Sequence, residues 1–156
     1  MATASASARP RVLAVASGGG HWVQLRRLWP AFEACDLAVV TVSSAYGAQA
    51  HGARFYVVND ATRWNKWAVL IMALRMARVL LVERPDVVVS TGAAPGYVAV
   101  RLGKWLGART VWIDSIANVE RLSASGQRAG ACSDLWLTQW PHLAAAGGPR
   151  YEGGIL

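Results

Sequence analysis

The fold of this 156-residue chain is decided by RVLAVASGGGHWVQLRRL, residues 11–28. The stretch begins with an apolar run of strand length, VLAVAS, which ends in three consecutive glycines. The residues that follow, HWVQLRRLWPAF (21–32), have the length and composition of a helix. Because glycine has no side chain, its backbone can turn sharply between two such elements. The stretch therefore predicts a buried strand, a glycine loop and a helix in succession.

The rest of the chain repeats this alternation. Strand-like runs occur at residues 37–44, 54–59, 86–92, 109–115 and 134–140, and helices are predicted near 64–83 and 96–107. Short apolar strands separated by longer helices are typical of a parallel, doubly wound sheet. We predict an α/β fold, a Rossmann-like parallel sheet with helices on both faces. The length, with 54% hydrophobic residues, favours a single domain over residues 11–156 after a disordered tail at 1–10.

The charge and cysteine content limit the classes of ligand and binding partner that the chain could have. The formal net charge is +7, but only 16% of the residues are charged, and long basic runs are absent from the sequence, which disfavours a nucleic-acid-binding protein. The positive charge is compatible with a phosphate-bearing ligand or with an anionic membrane surface. Neither Cys35 nor Cys132 has the neighbours of a zinc site or of a disulfide framework, so we predict no metal and a reducing compartment. The short apolar run 12–16 does not predict a signal peptide.

The glycine loop has the composition of an anion-binding site. Ser17, Gly18, Gly19, Gly20 and His21 join a strand to a helix, where backbone N–H groups and the helix dipole attract phosphate. The G-x-G-x-x-G pattern of dinucleotide-binding proteins is incomplete, since Val23 stands where its third glycine belongs, and the G-K-[ST] ending of a P-loop is missing. His21 is a candidate diphosphate donor or proton shuttle. The alternatives are a tight turn that binds nothing and a histidine that only packs.

Two more loops follow strands at the edge where parallel sheets bind ligands. The second contains Thr91, Gly92, Ala93 and Gly96 and forms either another anion site or only a well-capped helix start. The third contains Asp114, Ser115 and Asn118. A carboxylate there could orient a sugar hydroxyl or act as a base, and helix capping by Asp114 or Ser115 is the alternative.

The helix near residues 64–83 is apolar but too short in its uncharged run to span a bilayer, which needs about 20 residues. Its cations are scattered among apolar residues. We predict a helix that packs on the sheet and touches a membrane surface through Trp64, Lys66, Trp67, Arg75 and Arg78. A buried helix with arginines that reach solvent is the alternative.

Four motifs in this order resemble one known family. They are SGGGHWVQLRRL, STGAAPG, WIDSIANVERLSASG and DLWLTQW, and the resemblance runs from about Arg11 to Leu156. The chain resembles the acceptor-side subunit of two-part UDP-sugar transferases, of the asparagine-linked glycosylation protein 14 type and the bacterial PssD type. The resemblance implies the N-terminal half of a GT-B glycosyltransferase, as in the related peptidoglycan transferase MurG.

The resemblance also implies roles for the loops. The first two would bind the diphosphate of a polyprenyl-diphosphate-linked sugar acceptor, and Ser115 and Asn118 would address its sugar. His21 and Asp114 would be the catalytic residues. A separate donor-binding partner would hold the UDP-sugar, so this chain would bind no cofactor itself and would be inactive alone. It would lie peripherally on the cytoplasmic face of the membrane, and the C-terminal YEGGIL could dock the partner or form a last edge strand.

Two alternatives come from other classes of protein. The chain could be a membrane scaffold that recruits a glycosyltransferase and contributes no site residue. It could also be a self-sufficient nucleotide-binding enzyme, which would bind UDP or NAD without a partner.

Overall fold

A computed structural model describes residues 9–62 and 64–155. Its strands are β1 (Arg11–Val15), β2 (Asp36–Thr41), β3 (Arg54–Val57), β4 (Val87–Ser90), β5 (Arg109–Ile113), β6 (Leu135–Thr138) and β7 (Arg150–Tyr151). The helices are α1 (Gly20–Arg27), α2 (Lys66–Glu83), α3 (Ala93–Trp105) and α4 (Ala124–Ala129). Short 3₁₀ turns cover Trp29–Phe32, Ser44–Gln49, Gly130–Cys132 and Pro141–Leu143.

The described strands form one parallel sheet in the order β3-β2-β1-β4-β5-β6-β7. The chain first winds outward from β1 to β3, then crosses over through α2 to β4 and winds in the opposite direction. The winding therefore reverses between β1 and β4. In such sheets ligands bind beyond the carboxyl ends of the strands at this reversal.

Helices cover both faces of the sheet, which confirms the predicted fold class. On one face, Trp22 and Leu25 of α1 pack with Ala14 and Val39. On the other face, α2 and α3 pack over the sheet through buried residues that include Met72, Met76, Val100, Leu13 and Val88. The central strands β1, β2, β4 and β5 are mainly apolar because helices cover each side of the sheet.

Two helix boundaries differ from the sequence prediction by three residues or more. The first helix ends at Arg27 instead of Phe32, because Pro30 cannot donate a backbone hydrogen bond and stands near the start of a separate 3₁₀ turn. The third helix begins at Ala93, three residues before the predicted start, because Gly92 and Ala93 adopt φ angles of +134° and +66° and turn the chain at once.

For the two ends of the chain, the sequence predicts a disordered tail at residues 1–10 and a C-terminal segment that docks a partner or forms an edge strand. Residues 1–8 of the predicted tail lie outside the described residues, and Pro10 accepts a hydrogen bond from the Asp36 amide at 2.9 Å. Near the other end, β7 is an edge strand, and the Ile155 amide donates to Gln139 Oε1 at 2.8 Å. Ile155 therefore folds back onto its own domain, while Leu156 lies outside the described residues.

Helix α2 starts at an Asn65 cap, whose side chain accepts from the Ala68 amide, and ends at Arg84 in a left-handed conformation with φ 44°. Within the described ranges, no helix combines the length and the apolar character that crossing a membrane would require.

A charged cluster stabilises the edge of the sheet away from the reversal loops. Arg54 on β3 contacts Asp36 at 2.6 Å and Glu83 at 2.7 Å, and the Tyr56 hydroxyl also donates to Glu83. The Glu83 side chain is 6% exposed. The hydrogen bond from Arg54 is the main cause that holds the pKa of Glu83 below its ordinary value of 4.5.

This cluster predicts an acid-sensitive contribution to stability. Because the pKa of Glu83 is lowered in the folded state, its contribution is present above pH 4.5 and is lost as the pH falls through the folded-state pKa. We expect Glu83→Gln to lower the free energy of unfolding by about 1–3 kcal/mol near neutral pH. The difference from the wild type should shrink in acid, whereas the exposed control Glu33→Gln should change little at either pH. Urea unfolding measures both, and a difference that does not depend on pH would contradict the assignment.

Candidate functional site

The first two loops meet at the reversal, between the carboxyl ends of β1 and β4. His21 Nδ1 lies 2.9 Å from the Thr91 carbonyl oxygen, and the Thr91 hydroxyl donates to the His21 carbonyl at 2.8 Å. These paired hydrogen bonds join the start of α1 to the end of β4. We call this place, formed by residues 17–21 and 91–94, the β1–β4 crevice.

The hydrogen bond to Thr91 determines the chemistry of the imidazole. A carbonyl oxygen only accepts, so Nδ1 of His21 carries the proton and donates it. In the neutral ring Nε2 therefore keeps its lone pair and can take a proton. In the protonated ring Nε2 donates to an anion. The half-buried His21 is thus oriented as a general base or as a phosphate donor.

The starts of α1 and α3 both face the crevice. Their N-caps are Gly19 and Gly92, and neither supplies a side-chain cap. The first N–H groups of a helix have no acceptor inside it. The starts of α1 and α3, which lie on opposite faces of the sheet, are joined by His21 and Thr91 at its carboxyl edge. Their N–H groups and positive dipole ends there suit an anion with two phosphates.

The second loop has a strained backbone. Gly92 has φ +134°, and a Cβ added there would lie 2.6 Å from the His21 ring. Ala93, the first residue of α3, has φ +66° although it carries a side chain. Glycine adopts a positive φ readily, whereas the φ of Ala93 costs about 1–3 kcal/mol, a strain that concentrates at functional sites. The backbone of Gly92 can approach His21 this closely only because it has no side chain.

One donor of the glycine loop is not free, which corrects part of the sequence prediction. The Gly19 amide donates to the Tyr46 hydroxyl at 2.9 Å, and the Tyr46 ring stacks on Trp22 with centroids 4.9 Å apart. The same hydroxyl lies beside Gly18. Sequence reasoning missed Tyr46, although its position just after β2 places it at the ligand-binding edge. The Gly19 amide is therefore occupied by Tyr46, and the amides of Gly20 and His21 remain candidate donors to an anion.

Two residues of the second loop predicted to contact the ligand, Thr91 and Gly96, are buried and support the loop instead. Thr91 is fully buried, and both its hydroxyl and its carbonyl form hydrogen bonds with His21. Gly96 is buried against Ser90, whose Oγ would lie 1.9 Å from an added Cβ. We correct their role from ligand contact to support of the loop. Gly92 and Ala93 stay at the crevice.

Asp114 organises the third loop. Its side chain is 1% exposed and accepts four hydrogen bonds: from Trp112 Nε1 at 3.2 Å, Asn118 Nδ2 at 3.0 Å, and the Ser123 amide and hydroxyl at 3.0 and 2.6 Å. A carboxylate enclosed in this way has neither the exposure nor the free lone pairs to act on a substrate. The predicted catalytic role of Asp114 is therefore corrected to a structural one.

The predicted sugar contact of Ser115 is also corrected, because Ser115 is buried in a network of amide side chains. Gln24 of α1 donates to Ser115 Oγ at 3.0 Å and accepts from the Ile116 amide at 3.1 Å, and Gln139 donates to Gln24 at 2.6 Å. The network ties the glycine-loop helix to the third loop. Sequence reasoning missed both glutamines, because nothing in their local sequence distinguishes a buried amide from a surface one. Asn118 is half-buried with its amide on Asp114.

Helix α2 has two apolar faces. One is buried on the sheet through Met72, Met76, Val79 and Leu80. The other is exposed and carries Trp67 (75% exposed), Leu70 (47%), Leu74 (63%) and Leu81 (59%). Trp64 (80%), Trp105 (71%) and Leu106 (53%) are further exposed apolar side chains. Lys66, Arg75 and Arg78 are exposed as well. We call this exposed side of α2, with Trp67, Leu70, Leu74 and Leu81, the α2 outer face. Because apolar side chains of α2 are exposed here, the alternative of a buried helix does not hold.

A cavity of 570 Å³ lies at the opposite edge of the sheet, near the starts of β1, β4 and β5. It is lined by residues that include Arg11, Arg84 and Arg109. Its position at the amino ends of the strands, away from the reversal loops, argues against a substrate site in a doubly wound fold. We therefore place the candidate site at the β1–β4 crevice.

No protein-family model matches the sequence, and no curated protein does. Solved structures do share the fold. MurG of Acinetobacter baumannii superposes with a TM-score of 0.76 and 11% identity over 91% of this chain and 45% of MurG. A UDP-N-acetylglucosamine 2-epimerase of Rickettsia bellii gives 0.70 and 14%, over 94% of this chain and 45% of the epimerase. A glycosyltransferase of Rickettsia africae gives 0.59 and 14%, over 77% and 33%.

These similarities show the fold and nothing narrower, since all three identities are low. The chain spans less than half of each of these proteins, and its sheet and helices match the N-terminal domain of the GT-B architecture.

Proposed function

We propose that this chain is the acceptor-side, non-autonomous subunit of a UDP-sugar-dependent glycosyltransferase in polysaccharide or lipid-linked oligosaccharide biosynthesis. It binds a polyprenyl-diphosphate-linked sugar and presents it to a donor-binding catalytic partner. The observation that carries the proposal is the convergence of two uncapped helix starts on one crevice, joined by His21. That arrangement suits a diphosphate better than a single phosphate.

The crevice supplies distinct groups to the proposed reaction. The amides of Gly20, His21 and Ala93 bind the acceptor diphosphate. Nε2 of His21 removes the proton from the acceptor sugar hydroxyl, whose oxygen then attacks the anomeric carbon of the donor. The bond from that carbon to the UDP oxygen breaks, and UDP leaves with the electron pair on the partner's side. The two hydrogen bonds between His21 and Thr91 keep the imidazole in place.

The α2 outer face supports membrane contact in this proposal. Its exposed leucines and Trp67 offer apolar area to lipid, and Lys66, Arg75 and Arg78 offer charge to lipid phosphates. The only acidic residue between residues 66 and 83 is Glu83, which Arg54 binds at the far end of the helix. A polyprenyl acceptor resides in a bilayer, so a membrane-contacting helix beside the crevice brings the site to its substrate.

A GT-B active site lies between two domains, and the described fold matches the N-terminal one of them. We assign the donor UDP-sugar to the second wall of that cleft, carried by a partner subunit, and assign no cofactor to this chain.

Reconstitution tests the proposed function. The chain is co-expressed with a candidate Rossmann-fold partner, and membranes are assayed with several radiolabelled UDP-sugars. We expect transfer to endogenous lipid-diphosphate acceptor when both chains are present and none above background with either alone. Transfer by this chain alone would contradict the proposal of a non-autonomous subunit.

A further inference from the structure

A second cavity, of 350 Å³, lies between the first turns of α2, α3 and α4. Its wall is mainly apolar, with Val69, Met72, Tyr97 and Val98, and two cations, Lys66 and Arg128, also line it. None of the described residues that line it is acidic. The volume lies in the range of about 300–1,000 Å³ that small-ligand sites occupy. We call this cavity the α2–α3–α4 groove.

The groove lies between two features already described. Ala94, which lines it, follows Ala93 of the β1–β4 crevice in the first turn of α3. Lys66, which also lines it, precedes Trp67 of the α2 outer face. The groove therefore adjoins the β1–β4 crevice at Ala94 and the first turn of α2 at Lys66.

We propose that the α2–α3–α4 groove binds the isoprenoid segment that adjoins the diphosphate of the acceptor. This inference rests on the proposed function and names a subsite for it. Valine, methionine and tyrosine side chains remove hydrocarbon from water, as an isoprenoid chain requires. Lys66 and Arg128 complement the negative charge of the adjoining diphosphate. A groove lined by cations without carboxylates suits the junction between an anionic head and an apolar chain.

The test compares two probes that differ only by a chain. Inorganic pyrophosphate and geranyl diphosphate are titrated into the full-length protein by calorimetry. We expect geranyl diphosphate to bind at least about tenfold more tightly, because its chain buries apolar area in the groove. Ser125 lines the groove, and Ser125→Trp should fill it. We expect this variant to lose the chain-dependent gain and to keep its affinity for pyrophosphate.

Gln127→Trp is the matched control, since Gln127 is an exposed residue of the same helix that does not line the groove. Thermal melting of both variants establishes that they are folded. Equal affinity of the wild type for the two probes, or a chain-dependent gain that survives in a folded Ser125→Trp protein, would overturn the groove assignment. If the wild type binds geranyl diphosphate but shows no binding of pyrophosphate, the proposed diphosphate site is contradicted and the groove assignment is supported. Absence of binding of both probes would overturn both.

Discussion

Replacing His21 by asparagine should lower sugar transfer in the reconstituted pair by about 10²–10⁴-fold, the usual contribution of a general acid–base residue. Asparagine can place its Nδ2 donor near the position of Nδ1, so the hydrogen bond to the Thr91 carbonyl can persist. It has no counterpart of Nε2, the atom that we assign to proton transfer. The loss should therefore fall on kcat, with little change in partner binding.

The control for this variant is His142→Asn. His142 is exposed, and its Nε2 lies 2.6 Å from the Val119 carbonyl oxygen, outside the β1–β4 crevice. We expect its transfer rate to match the wild type. If His21→Asn also transfers sugar at the wild-type rate, with the partner complex intact by co-purification, the chain acts as a scaffold and the proposed chemistry of the crevice is wrong.

The second large effect concerns the membrane. Leu74 and Leu81 are 63% and 59% exposed on the α2 outer face. Replacing both by serine should weaken binding to vesicles of anionic phospholipid by about tenfold or more, since a buried leucine side chain contributes about 1.5–3 kcal/mol. Replacing Arg75 and Arg78 by glutamine should weaken binding to the same vesicles by a similar factor, at about 1 kcal/mol for each basic residue.

Vesicle sedimentation measures these affinities, and two controls separate the causes. Val57 and Val119 are 43% and 44% exposed at other places on the surface, so the double serine variant at these positions should bind vesicles normally. The arginine variants should lose affinity only for anionic vesicles and only at low salt. Wild-type protein that fails to bind anionic vesicles, or a control variant that loses as much as the leucine variant, would contradict membrane contact through α2.

Much of the fold could be predicted because its signals are local. Each buried strand of a parallel sheet is a short apolar run, and glycines follow two of the runs, at residues 18–20 and at Gly92. The topology rule for doubly wound sheets then brings these loops together. His21 and Thr91, which lie 70 positions apart, do meet there through two hydrogen bonds.

The roles of single residues could not be predicted in the same way, because they depend on burial and on partners distant in sequence. Asp114 follows a strand at the ligand-binding edge, as a catalytic carboxylate would, yet its hydrogen bonds come from its own loop and from Trp112. Gln24 and Gln139 are 115 positions apart and become neighbours only in the fold. Tyr46 meets the Gly19 amide from a different loop.

The structure of α2 explains why its cations are scattered among apolar residues in the sequence. A helix with one buried apolar face has polar residues opposite it. Here the opposite face carries Leu70, Leu74 and Leu81, spaced four and seven residues apart, so hydrophobic residues surround the axis. The periodicity cancels in the sequence, and only the packed structure separates the face on the sheet from the exposed one.

The proposal that this chain binds the lipid-linked acceptor is tested most directly by the binding preference of the chain without a partner. Geranyl-diphosphate-linked glucose and UDP-glucose share a sugar and a diphosphate and differ only in the group on the distal phosphate. We expect titration calorimetry to detect binding of the geranyl compound and little or no binding of UDP-glucose. Tight binding of UDP-glucose, with no binding of the geranyl compound, would show that the crevice is a donor site and would contradict the account.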